Sequence, residues 1–315
     1  MTFKASVGLD SVPRCGLLGT GMRKRNFLQG LSLAIVASSL VVPLASGGSK
    51  AVPRLVFPVV GPVAYANDFG APRGRQAHQG NDIMAVKKSL AVAAEDGKVK
   101  FWTSSPSAGC MLYLYGRSGT MYQYIHLNND RTMKNDNEGK CVQGTSYAKG
   151  LKNGASVEAG QPIGFVGDSG DANGIASHLH FEVHPRGGGA VSPYRYLKRS
   201  RVLLFAAKPG TQTSLTLKGK LIAADSAAGT LEMLVSDVAS STGFRLKKLS
   251  RKLTLELSPD ATAGYDYGAG VSLEALDNLA PGAAIEVTTT VAPVTLETES
   301  GAALALATSA VTLIT

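Results

Sequence analysis

Ser177-His178-Leu179-His180-Phe181-Glu182-Val183-His184-Pro185 is the stretch on which the fold turns. Its alternation is strict. Leu179, Phe181 and Val183 point one way, and His178, His180, Glu182 and His184 point the other. A period of two with one apolar side predicts a β-strand packed on a core. A solvated strand usually carries Thr, Lys or Ser on its open side, whereas here four ionisable groups stand in a row. Residues two apart on a strand are roughly 6.5–7 Å apart, so two such imidazoles can converge on a metal ion and its bound water. His184 lies a further step along and precedes Pro185, which predicts a hydrogen-bonding or strand-end role.

Two other segments belong with this strand. Tyr122-Gln123-Tyr124-Ile125-His126-Leu127 again alternates, which predicts a strand with Tyr122, Tyr124 and His126 on one side. In His78-Gln79-Gly80-Asn81-Asp82-Ile83, Gly80 argues against a helix and predicts a loop entering a strand. His78 and Asp82, four apart, fall on the same side of an extended segment. An imidazole and a carboxylate together suit a borderline cation such as zinc. All five histidines of the chain lie between residues 78 and 184.

The remaining composition sets bounds. The chain has 315 residues, 44% hydrophobic and 17% charged, with 36 Gly and 14 Pro. That length suggests about two domains plus tails, and the glycines and prolines favour short strands and turns over long helices. The net charge of +9 invites a nucleic-acid reading, but its distribution argues against one. Residues 1–50 carry six basic residues and one acid, which leaves 26 basic against 22 acidic over residues 51–315. No block of like charge remains to form a nucleic-acid arm.

Residues 1–47 read as a leader. The basic cluster Arg23-Lys24-Arg25 precedes the apolar run Leu31–Leu44, and small residues from Ala45 follow. That run is shorter than the ~20 residues a spanning helix needs and matches a signal peptide. The expectation is export, with cleavage between Ala45 and Ala51 and membrane contact only during passage; an uncleaved anchor is the alternative. Cys15 leaves with the leader. Cys110 and Cys141 remain as an even pair, compatible with a disulfide in an oxidising compartment or with two free thiols.

Three motifs in this order resemble the lysostaphin-type (LytM-like) zinc metalloendopeptidases of bacterial cell walls. They are His78-x-Gly80-x-Asp82-Ile83, Tyr124-x-His126-Leu127 and His178-Leu179-His180-Phe181-Glu182. Glu95-Asp96-Gly97-Lys98-Val99 and the glycine-rich segment Gly160–Gly170 are similar to further features of that family. The resemblance covers about residues 53–197. It implies a mainly β fold, with an antiparallel sheet of the duplicated hybrid motif type over residues 48–200. It implies one zinc ion held by His78, Asp82 and His180, with His126 and His178 as catalytic histidines. Glu182 is then an outer partner of the site.

The activity implied is hydrolysis of peptide bonds in peptidoglycan peptides by a metal-activated water. The rival is a non-catalytic wall-binding protein, or an activator of other wall hydrolases, that keeps the fold. The chain departs from compact relatives in a polar insertion between Leu127 and Val157, expected on the rim of the groove.

The C-terminal third reads differently. Residues 201–213 are expected to link the two parts. Residues 214–315 show short alternating segments separated by turns, with no His, Cys or Trp. They predict a small all-β module, OB-like in outline. Tyr265 and Tyr267 are candidate binding aromatics there, or packing residues.

Overall fold

The computed structural model describes residues 52–103, 105–294 and 307–315. The leader expected over residues 1–47, with Cys15, lies outside these residues. The architecture is mainly β, and among the described residues no helix is long and apolar enough to cross a membrane.

The first sheet is built on β1 (Asn81–Ala85), β3 (Gly97–Trp102), β4 (Cys110–Gly116), β5 (Met121–Leu127) and β7 (His178–His184), taken in order β1-β7-β5-β4-β3. Short pieces, Val63–Ala64 and Ser156–Val157, flank its edges. Every pairing is antiparallel. A separate ribbon joins β2 (Leu90–Val92) to β6 (Pro162–Phe165) and covers the inner face.

The inner face is apolar because alternate residues of each strand are. Leu179, Phe181 and Val183 from β7, Leu112 and Leu114 from β4, Ile83 from β1 and Val99 from β3 are all buried. Fully burying each such side chain contributes about 1.5–3 kcal/mol.

Tyr122 and Tyr124 belong to this core and not to the open face shared with His126 that alternation predicts; both are fully buried. Tyr124 Oη donates to the Val92 carbonyl (3.0 Å) and accepts from the Ala94 amide (2.8 Å). Tyr122 Oη donates to the Glu95 carboxylate at 2.7 Å. The cause of the discrepancy is local. His126 has φ of +61°, and the β4–β5 register shifts beside it, between Cys110 and Leu112. This bulge breaks the period of two, so Ile125 and His126, though consecutive, both line the open face.

The C-terminal region is a closed barrel. Its strands are β8 (Leu215–Asp225), β9 (Thr230–Ser240), β10 (Arg251–Tyr265), β11 (Ala284–Thr289) and β12 (Thr308–Leu313). They pair in the cycle β8-β9-β10-β12-β11-β8. Only the β10–β12 pairing in this cycle is parallel, and the short helix Glu274–Asp277 lies between β10 and β11. Leu217, Leu231, Met233, Val287 and Val311 fill the interior. Leu204, Phe205 and Ala206, within the expected linker, are buried. Phe244 and Leu246 pack against a small cluster containing Val56, Val60 and Val92.

Candidate metal centre

The open face of the first sheet gathers four of the five histidines into one groove of about 390 Å³. Pairing of β7 with β1 sets His180 directly opposite Asp82. His78 arrives from the loop before β1, where its amide donates to the Ala71 carbonyl (2.8 Å). Gly80 makes this approach feasible. A Cβ there would lie 2.5 Å from the Phe181 carbonyl oxygen and 2.8 Å from Nε2 of His180.

The result is a compact triangle. His78 Nε2 lies 3.0 Å from Asp82 Oδ1 and 2.9 Å from His180 Nδ1, and His180 Nδ1 is 3.0 Å from Asp82 Oδ1. These three residues form a group able to hold a metal ion.

Hydrogen bonds on the outer sides of the rings orient them. His78 Nδ1 lies 3.0 Å from the Asp68 carbonyl, so it donates there and its Nε2 lone pair faces the triangle. His180 Nε2 lies 3.0 Å from Glu182 Oε1, so it donates there and Nδ1 faces the triangle. Glu182 is itself held through its other oxygen by His184 Nε2 at 2.6 Å, and His184 Nδ1 donates to the Gly188 carbonyl at 2.8 Å. Carboxylate support of this kind fixes the tautomer of a ligating histidine.

The electrostatics call for a cation. Burial opposes ionisation of Asp82, but the His180 and His78 rings held against its Oδ1 outweigh it and keep the carboxyl well below its usual range. Burial also opposes a charge on His180, yet Asp82 and Glu182 together raise its pKa to about 9. Glu182, against the cost of burial, is brought down to about 2 by His180 and His184. The field at His180 Nδ1 therefore asks for a positive charge, either a proton or a metal ion in its place. Two imidazole nitrogens and one carboxylate oxygen fit zinc, and three protein ligands leave a coordination position open.

Two further rings stand beside the triangle. His126 Nδ1 donates to the Ser169 carbonyl at 2.8 Å, and His178 Nδ1 donates to the Ala176 carbonyl at 2.9 Å. Both bonds leave Nε2 as the free acceptor. The ring centroids are 5.1 Å apart, and His178 Nε2 is 3.8 Å from Asp82 Oδ1. Burial and the neighbouring His178 lower the His126 pKa to about 4, so its ring is neutral at physiological pH. Its left-handed backbone costs about 1–3 kcal/mol, held by the structure behind it. There Ser169 Oγ accepts from the Cys110 amide (2.9 Å) and donates to the Leu127 carbonyl (2.5 Å), and Cys110 forms a disulfide with Cys141.

Several participants carry no sequence signal. Arg73 Nη2 lies 2.5 Å from Asp82 Oδ2, the carboxylate oxygen turned away from the triangle. Ser169 and Ala176 act through backbone carbonyls, which every residue type possesses, and Asp68 adds to its carbonyl a carboxylate 3.4 Å from His78 Nδ1 that accepts from the Asp82 amide at 3.3 Å. The polar insertion after Leu127 meets the segment that forms the groove wall, since Asn135 and Asn137 donate to Asn173 Oδ1 at 2.7 and 3.0 Å. Asp171 and Ile175, on either side of Asn173, line the groove.

Residues 76–193 match the model for Peptidase family M23. The L-Ala--D-Glu endopeptidase of Bacillus subtilis (strain 168) is 27% identical over 153 residues, 45% of this chain and 42% of that protein. The chain thus spans less than half the length of this relative. The catalytic domain of the antimicrobial peptidase lysostaphin from Staphylococcus simulans is 25% identical, covering 43% of this chain and 92% of that one, with a TM-score of 0.34. The catalytic domain of the prophage-encoded M23 protein EnpA from Enterococcus faecalis is 24% identical, covering 42% and 90%, with a TM-score of 0.32. The sheet and the histidine groove lie within the matched residues, and residues 76–193 are a domain of peptidase family M23.

Proposed function

We propose that the protein is an exported zinc-dependent endopeptidase that hydrolyses peptide bonds of bacterial peptidoglycan. The observation carrying this reading is the triangle of His78, Asp82 and His180 beside two imidazoles whose free Nε2 atoms face the same groove. His78, Asp82 and His180 hold the zinc ion. Bound zinc supplies Lewis acidity, which makes water more acidic and polarises a carbonyl.

The chain's own groups do the rest. His126 and His178 are catalytic. His126, neutral because it is buried, accepts a proton through Nε2 from water in the groove. Ser169 holds its ring through the opposite nitrogen and so keeps the accepting tautomer. His178, anchored likewise by the Ala176 carbonyl, presents Nε2 to the same groove and orients that water. Glu182 and His184 fix the His180 ring, and Arg73 holds the outward oxygen of Asp82.

Export rests on the leader expected over residues 1–47, and the wall substrate on the domain's family together with that leader. Residues 48–200 form the enzyme, 201–213 the connection, and 214–315 an OB-like module. The test is digestion of purified peptidoglycan with and without a chelator, with fragments identified by mass spectrometry. New amino termini that appear only without chelator support the reading; cleavage indifferent to chelator, or none by zinc-loaded protein, contradicts it.

A further inference from the structure

The open face of the sheet continues beyond the histidines. Register carries it across in rows. Glu182 stands opposite Gln123, Gln123 opposite Tyr113, and Tyr113 opposite Lys100. A parallel row runs His184, Met121, Tyr115 and Lys98. Residues two apart share a face, so Trp102 projects on this side with Lys100.

Three aromatic rings therefore form a strip over β3 and β4. Trp102 and Tyr113 have centroids 5.7 Å apart, and Tyr113 and Tyr115 have centroids 6.2 Å apart. The Lys100 ammonium stands 5.1 Å from the Trp102 ring. Tyr115 is 45% exposed, and Trp102 and Tyr113 are partly open. Inner-face packing needs none of these side chains. Neither does the chemistry at the histidines.

We propose that this strip is a glycan subsite that stacks the pyranose rings of an amino-sugar strand while the attached peptide reaches the metal triangle. The proposal rests on the endopeptidase reading above. Two arguments select sugar as the occupant. Aromatic faces with polar tips suit surfaces that are apolar on one side and wet at the edge, as a pyranose is. Stem and bridge peptides, built of Ala, Gly, Glu and diamino acids, offer such rings little apolar area. The second argument is length. From β7 to β3 is three inter-strand steps of about 4.8 Å, or about 14 Å. A peptide extending from the sugar spans that distance in about four residues, so a sugar on the strip places a bond some four residues along its stem at the triangle.

Trp102 is the chain's only tryptophan, so its emission reports on the strip directly. The full chain is titrated with chitotetraose, a β-1,4-linked N-acetylglucosamine oligomer that carries no peptide. A saturable emission change is expected, insensitive to chelator, with affinity reduced roughly tenfold in Tyr115→Ala, a loss of about 1.4 kcal/mol. In the same variant the rate on intact peptidoglycan should fall roughly tenfold relative to that on sugar-free stem peptides. No emission change up to the solubility limit, an equal change in Tyr115→Ala, or a response to free stem peptide alone overturns the subsite. Should zinc-loaded protein bind the oligomer yet cleave neither wall nor peptide, the endopeptidase reading fails and the subsite stands. Cleavage with a silent Trp102 removes the subsite alone.

Discussion

The first sheet and the C-terminal barrel are built by the same rule and differ in what they do with their second face. Both bury alternate apolar side chains, Leu179, Phe181 and Val183 in one and Leu231, Met233 and Val235 in the other. On the outside of the barrel, charges meet opposite charges. Lys218 pairs with Glu286 and Lys252 with Glu232, each at 2.7 Å, and these lysines are well exposed. On the open face of the sheet, two ring nitrogens and a carboxylate oxygen converge at 2.9–3.0 Å on one point. A satisfied surface is inert. A face whose acceptors point at one another is prepared for something that binds them.

Substitutions on the two faces test this contrast. The largest effect is expected from His78→Ala, which removes one donor of the triangle. Zinc content measured by atomic absorption and wall cleavage should both be lost, and retained zinc would remove His78 from the site. In the barrel, Met233→Ala opens a cavity at a fully buried position and should cost about 2–5 kcal/mol of stability. Denaturant melts should show that loss while the folded protein keeps its zinc; a changed zinc affinity would couple the two regions.

Glu182→Leu tests the support of His180. Zinc affinity in a chelator competition should drop about 10–100-fold, and Glu182→Gln, which can still accept from His180 Nε2, should recover much of it. Equal losses in both variants would make the role one of charge and not of ring orientation. The smallest effect belongs to Lys252→Ala on the barrel surface. The pair with Glu232 is open to solvent and screened, so the melt should barely move, and neither zinc nor cleavage should change.

Much of this contrast was legible in the chain before its structure. Strict alternation in residues 178–184 assigns each side chain to its face, because a strand's period of two leaves no freedom. The same rule links Glu182 to His180, two residues apart and joined by a hydrogen bond of 3.0 Å. It fails at His126 because one residue with positive φ reverses the face of everything after it, and a histidine letter does not announce its dihedral. Backbone acceptors such as the Ser169 and Ala176 carbonyls are equally silent, since tertiary approach creates them. The barrel's strands could be read one by one, but its closure depends on the parallel pairing of β10 with β12, a non-local contact that alternation does not encode.

The proposed division of labour falls on one face: His78, Asp82 and His180 would hold the ion, and the imidazoles of His126 and His178 handle the proton. Zinc content and peptidoglycan cleavage measured side by side in the unsubstituted chain and in His126→Ala test it most directly. The same zinc content is expected in both proteins, with release of new amino termini by the unsubstituted chain alone. Undiminished cleavage by His126→Ala would contradict it, as would loss of zinc from that variant while it remains folded.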